Sequence, residues 1–349
     1  TRFERRFAEY LGRRHALAVT SCTGAMHMAL LALGIGAGDE VITTPMSFIA
    51  TSTAILEAGA MPVFVDTESD TGNIDAARVE AAIGPRTRAL LPVHLYGQMC
   101  DMRALRAIAD RHGLVIIEDS AHCIDGLRDV VGPGDLAEAA CFSFYATKNI
   151  TCGEGGAIVC DDDITDEKLR LLRVHGMNKT GYDRAREGYS HWDMTLLGWK
   201  YNMSNIEAAL LLPQFDRIAP KLARRHALAA RYEERLSEVP GIRIPASRAN
   251  TVHARHVFTI WIEDGHRDRI IEQLKAERIG AVVNYRPIHL MSYFRERFGY
   301  RPGMYPIAEG IGEHTISLPF YPGMSEQQVD IVVDALQRIM MRKPVPVHG

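Results

Sequence analysis

Along the first half of the chain, short β-branched and apolar runs alternate with stretches in which apolar positions recur every three to four residues. The runs predict strands over 16–20, 41–44, 62–65, 89–93, 114–118, 139–143 and 157–160. Several are apolar throughout, as in Leu114-Val115-Ile116-Ile117, and leave no face for water. Such strands belong in a sheet covered on both sides, and helical patterns over 24–33, 47–58 and 102–111 supply the cover. The alternation predicts an α/β fold: a mixed, mainly parallel seven-stranded sheet covered by helices.

The second half reads differently. A long helix is expected over 205–236, opened by the capping-box pattern Ser204-Asn205-Ile206-Glu207 and open to a break at Pro213 or Pro220. Beyond Pro240-Gly241, strand-like 256–262 and 281–285 mix with helical 267–278 and 326–340. This predicts a large domain over 1–238 that includes the long helix, and a smaller α+β domain over 239–349.

Composition narrows the partners. Hydrophobic residues make up 47% and charged residues 24%, as in an ordinary globular enzyme. A net charge of −3 gives no broad basic field, so nucleic acid is not an expected partner. No apolar stretch is long enough to cross a bilayer, so no membrane contact is expected. The opening Thr1-Arg2-Phe3-Glu4-Arg5-Arg6 has no Met and no apolar signal core, and starts directly in a helical pattern. Six Cys without C-x-x-C spacing point to a reducing compartment, and a cytoplasmic protein is expected. Among the 14 His, the pairs in His253-Ala254-Arg255-His256 and His191-Trp192-Asp193 come without a third ligand, so no metal is expected.

The informative residues sit where strands end, because ligands of open α/β sheets bind beyond the carboxyl ends of the strands. Ser21-Cys22-Thr23-Gly24 follows the first strand and opens a helix, whose free N–H groups suit either a phosphate or a simple N-cap. Phe48 follows the second strand. Asp119 and His122 follow the run 114–117; an acid there fits a helix cap, a metal ligand or the partner of a protonated ring nitrogen. Ser143 and Lys148 follow the strand at 139–143, ahead of the turn Gly153-Glu154-Gly155-Gly156. A lysine at such a junction is either a solvated charge or, partly desolvated, a Schiff-base nucleophile.

In their order these residues resemble the DegT/DnrJ/StrS group of sugar aminotransferases, of the aspartate-aminotransferase fold superfamily. The resemblance rests on Ser21-Cys22-Thr23-Gly24-Ala25, Gly38-Asp39-Glu40-Val41-Ile42, Pro92-Val93-His94-Leu95-Tyr96-Gly97-Gln98 and Ile117-Glu118-Asp119-Ser120-Ala121-His122. It continues through Phe142-Ser143-Phe144, Lys148-Asn149-Ile150-Thr151-Cys152-Gly153-Glu154-Gly155-Gly156, Lys200-Tyr201-Asn202-Met203-Ser204 and Ser317-Leu318-Pro319. Ser120 departs from the Ala common in the group. The group also has a segment ahead of the first helix, which could carry residues for the sugar.

The resemblance implies pyridoxal 5′-phosphate as cofactor, held by Lys148 as a Schiff base, with Asp119 facing the ring nitrogen and His122 the ring hydroxyl. It implies that Phe48 stacks on the ring and that Thr23, Gly24 and Ser143 hold the phosphate. Asn202 would reach the neighbouring subunit's cofactor, so a homodimer with shared active sites is expected. Tyr285 and His289 are candidates for the sugar pocket, or for packing within the small domain. The implied reaction is transamination of a nucleoside-diphospho-keto-sugar with glutamate as donor. The runs 149–152 and 200–203 point to a uridine-diphosphate sugar aminated at carbon 4. A cyclitol aminotransferase, a sugar dehydratase and a noncatalytic binding protein are the rivals. Some dehydratases of this fold carry histidine in place of the lysine, so Lys148 argues against that subclass.

Overall fold

The computed structural model describes residues 2–179, 191–263 and 266–341. Seven strands form one sheet: β1 (His15–Val19), β2 (Glu40–Thr43), β3 (Met61–Phe64), β4 (Thr87–Leu91), β5 (Val115–Asp119), β6 (Ala139–Ser143) and β7 (Gly156–Cys160). Each lies within two residues of its expected range. Their order is β1-β7-β6-β5-β4-β2-β3. β7 runs antiparallel to both neighbours, and every other pairing is parallel. The sheet is therefore mixed and mainly parallel, as the alternation predicts.

The apolar runs are explained by what covers them. Successive strand residues point to opposite faces. Leu90 and Ile116 pack beneath the helix Met102–His112, through Met102, Leu105 and Ile108. Leu91, Ile117 and Cys141 face the other way, against α2 (Cys22–Ala32) and α3 (Ala50–Glu57), while α1 (Arg2–Leu11) packs elsewhere. Ile116 and Ile117 are both fully buried, and truncating either to Ala would cost roughly 2–5 kcal/mol. On the face of β6 that carries Phe142, α1 sets Phe7 edge-on to Phe142 and Phe144.

The expected long helix is divided. Asn205–Leu211 opens with the capping box, Ser204 and Glu207 exchanging side-chain-to-backbone bonds of 2.9 and 3.2 Å. A 3-10 stretch, Leu212–Arg217, holds Pro213, which lacks the N–H an α-helix would use. Pro220 instead sits in the first turn of Ile218–Leu236, where N–H groups need no intrahelical partner. That helix gives Leu228, Ala229, Tyr232 and Leu236 to the C-terminal core, beside Val329, Val333 and Leu336 of the helix Glu326–Met341. It thus fastens the part before residue 238 to the part after it; residues 342–349 of the expected small domain lie outside the described residues.

The C-terminal core rests on a three-stranded antiparallel sheet of Thr315–Leu318, Phe258–Ile262 and Ile242–Arg243. The strand expected over 281–285 is not formed. Val282 makes a single bridge to Ser317, after which the carbonyl of Asn284 accepts from the side chains of Tyr96 and Thr315 and leaves no ladder to continue. Of the apolar run Ala281-Val282-Val283, Ala281 packs against the C-terminal core while Val282 is exposed.

Candidate active site

The carboxyl ends of β1, β2, β5 and β6 meet around a cavity of about 490 Å³. Thr23, Phe48, Asp119 and Ser143 line it from these four ends. His122, Lys148 and Tyr285 complete the set, so seven of the ten residues singled out in the sequence face one space. Gly24, Asn202 and His289 are outside its lining.

Asp119 closes β5 on the same face as Ile117, two residues earlier, and so points toward α2 and α3. It is buried, and its carboxylate accepts from Thr51 Oγ1 of α3 at 2.7 Å, from the Ala121 N–H at 3.1 Å and, more weakly, from Cys22 Sγ at 4.0 Å. Ser47 lies 2.8 Å from Thr51 Oγ1 and extends the chain of hydroxyls. These bonds orient the acid and satisfy a charge that burial would otherwise make costly.

Lys148 stands on the turn after β6, its N–H bonded to Tyr145 O at 2.9 Å. Burial pushes its amine below the ordinary lysine range, while the charges of Asp119 and Cys22 pull it partly back. A neutral, nucleophilic amine is therefore easier to reach here than on a surface lysine. Gly156 makes this region possible: a Cβ there would come within 2.4–2.7 Å of the backbone of Ser21 and Cys22, so β7 can pass beneath the start of α2 only as glycine.

His122 is neutral, because burial, then Lys148 and His256, disfavour its charged form. Its Nδ1 accepts the Tyr96 N–H at 3.3 Å, which leaves the ring proton on Nε2, 3.1 Å from the Tyr285 hydroxyl. Tyr285 stays protonated, pushed up by burial and by Tyr96 and Asp119. Its ring stands 6.1 Å from that of Phe48, which is 56% exposed and offers a free aromatic face at the mouth.

The remaining three have other surroundings. Gly24 gives its N–H to Ser21 Oγ at 3.1 Å, the N-cap of α2, and a Cβ on it would press 3.3 Å from the Tyr201 ring. His289 is fully buried, 2.9 Å from Glu309 and edge-on to Tyr305. Asn202 bridges Val19 through its backbone, and its Oδ1 is buried without a partner among the described residues.

Two neighbours were not among the site residues singled out in the sequence. Thr51 sits inside a helical pattern like any other polar position. His256 opens the strand-like run 256–262 and drew attention only as a metal ligand; the structure puts its Nε2 3.5 Å from Lys148 Nζ. A polar residue bounding an apolar run, the feature that exposed Asp119, would have found it. Among the described residues no group of three or more His, Cys, Asp or Glu could hold a metal ion.

The donors present fit pyridoxal phosphate. A desolvated amine and an oriented carboxylate line one cavity, the first turn of a helix supplies N–H groups and its dipole for a phosphate, and an aromatic face stands free above. Fold and site together define a pyridoxal-phosphate-dependent aminotransferase. The DegT/DnrJ/EryC1/StrS aminotransferase family model matches residues 1–337, and the chain belongs to that family. It is 40% identical over 344 residues to the spore coat polysaccharide biosynthesis protein SpsC of Bacillus subtilis, covering 97% of this chain and 88% of that one. The crystal structure of DesV from S. venezuelae in complex with a ketimine intermediate superposes with a TM-score of 0.88 at 38% identity, over 98% of this chain and 89% of that one. The PLP-form of Spr1654 from Streptococcus pneumoniae does so with a TM-score of 0.90 at 28% identity, over 97% and 90%.

Proposed function

We propose that the protein moves an amino group from glutamate onto a keto sugar carried on a nucleoside diphosphate, at carbon 4 of a uridine-diphosphate sugar. The product is an amino sugar for polysaccharide, lipid or secondary-metabolite synthesis. The observation that carries the reading is the shared cavity of Lys148 and Asp119. The similarity to SpsC, whose name places it in polysaccharide synthesis, supports a sugar acceptor.

In this reading Lys148 holds the cofactor, Thr23 and Ser143 bind its phosphate, and Phe48 covers its ring. When bound, pyridoxal phosphate supplies the electron sink that lets a hydrogen leave carbon as a proton. Asp119, held by Thr51, keeps a positive charge on the ring nitrogen. With the cofactor bound, Lys148 Nζ would be the base that takes the α-proton of the amino donor and the acid that returns it across the imine nitrogen. Tyr285, bonded to His122, orients the sugar at the mouth. The six cysteines, all free and buried, suit a reducing cytoplasm, and no described helix is long and apolar enough to cross a membrane.

The test is a panel of nucleoside-diphospho keto sugars incubated with glutamate and read by mass spectrometry. A mass change of ketone to amine on a uridine-diphosphate 4-keto sugar is expected. Turnover confined to a cyclitol ketone, or none with any sugar while glutamate still aminates the cofactor, would reject the substrate assignment.

A further inference from the structure

The helix Ile218–Leu236, the turn after β6 and the segment entering Phe258–Ile262 meet at Lys148 around a second cleft, whose lining does not include Phe48. His256 lies there, buried, with its ring stacked on that of His122 at a centroid distance of 4.4 Å and 29° between planes. Its two nitrogens have different partners. Asn149 Nδ2 donates to Ala254 O at 2.9 Å, and this turns Asn149 Oδ1 toward His256 Nδ1, 3.4 Å away. An amide oxygen only accepts, so Nδ1 carries the ring proton. Nε2 is left as a lone pair, 3.5 Å from Lys148 Nζ. Contacts of this length in catalytic sites commonly tighten when the reactants are bound.

The charges around His256 keep it in that state. Burial, then Lys148 and Arg225, hold its imidazole well below the ordinary histidine range. His122, on the segment after β5, is held neutral in the same way. Asp125 faces Arg225, and burial lifts its own carboxyl to about 6. The ring is thus neutral and cannot donate to Lys148; it can only accept from it.

We propose that His256 is a positioning residue for Lys148: its Nε2, turned by Asn149, accepts one N–H of the amine and aims the nitrogen lone pair at the cavity. An amine released from the cofactor has four rotatable bonds to wander through. Held at one hydrogen, it remains where it can take the donor's α-proton, and a misplacement of about 1 Å can cost roughly 100-fold in rate. The inference rests on the reading of Lys148 as the cofactor-bearing lysine.

The experiment compares His256→Phe, which keeps the ring and its stacking but has no acceptor, with His256→Gln, whose amide oxygen restores one. In full-length cofactor-free protein, the rate at which acetic anhydride labels Lys148 is followed against pH by peptide mass spectrometry. In the holoenzyme, kcat and KM are measured separately. The phenylalanine variant is expected to shift the labelling midpoint downward, because the ammonium loses an acceptor. It should lower kcat about 10- to 100-fold with KM for the keto sugar within about threefold. Glutamine should recover part of both. Asn149→Leu, which frees the ring to turn, should move both in the same direction and carries the test if the phenylalanine variant does not fold. An unmoved midpoint, an unchanged kcat, or glutamine behaving as phenylalanine overturns the proposal. Lys148→Ala is run alongside: retained turnover there would sink the lysine assignment itself, a result distinct from failure of the histidine.

Discussion

Thr51 Oγ1 donates to Asp119 Oδ2 at 2.7 Å, tying the first turn of α3 to the last residue of β5. The acid that the site depends on is oriented by a neighbouring helix as well as by its own strand. Asp119→Asn should keep the cofactor bound, since Lys148, Thr23 and Ser143 remain, yet lose roughly 100- to 1,000-fold in kcat, the usual scale for a lost electrostatic stabiliser. Thr51→Val removes one hydrogen bond to a charged group, worth about 1.5 kcal/mol, and should lower kcat roughly tenfold. Steady-state rates decide both; wild-type turnover in the Asn variant would move the ring-nitrogen partner elsewhere.

Much of this arrangement could be read from the order of residues. Strands apolar throughout announce a doubly covered sheet, and the polar residues that end such a run, as Glu118 and Asp119 do after Ile117, mark the edge where ligands bind, although the pattern alone does not separate a site acid from a structural one. Where tertiary contacts decide, the pattern is silent. Thr51 is one polar position among several on α3, and only the approach of β5 gives it a partner. Residues 281–285 have the composition of a strand, but the Asn284 carbonyl is claimed by two side chains from elsewhere in the fold. Gly24, whose phosphate role the resemblance implies, lies outside the cavity lining, and only the fold brings the Tyr201 ring, distant in sequence, against it.

Lys148 carries two predictions. Lys148→Ala should abolish the absorbance band of the lysine-bound cofactor, and an unchanged spectrum would place the covalent link on another residue. The second concerns stability without cofactor. The folded-state value of the amine lies below the ordinary 10.5, so the folded chain carries an ammonium against burial at low pH. That cost is full below the folded value and disappears as pH rises through 10.5. Lys148→Met should therefore raise the Tm of the cofactor-free protein at pH 7, with a gain that shrinks toward pH 10.5. A gain independent of pH would mean that packing, not charge, causes it.

Tyr285 reaches the cavity from a C-terminal segment anchored by Tyr96 and Thr315, and its hydroxyl meets His122 Nε2 at 3.1 Å. If it orients the sugar, Tyr285→Phe should raise KM for the keto sugar about fivefold, the value of one neutral hydrogen bond near 1 kcal/mol, while the half-reaction with glutamate stays unchanged. Equal losses in both half-reactions would assign the hydroxyl to the cofactor. Stopped-flow spectra of each half-reaction separate the cases.

Asn202 poses the question of the assembly. It lies outside its own chain's cavity, beside Tyr201 at the start of α2, with its Oδ1 buried and unpaired among the described residues. A partner subunit's cofactor phosphate would give that amide a role, provided the amide presents its nitrogen there. Asn202→Ala should then weaken cofactor retention, and mixing it with Lys148→Ala should rescue activity. In a mixed dimer one site has lost both residues and the other has both, so random reassortment of the two variants should leave about a quarter of the sites with both residues. If Asn202 acts only within its own chain, every site keeps one defect and the mixture stays as inactive as its parts. Activity after refolding the mixture, set against each variant refolded alone, distinguishes the two.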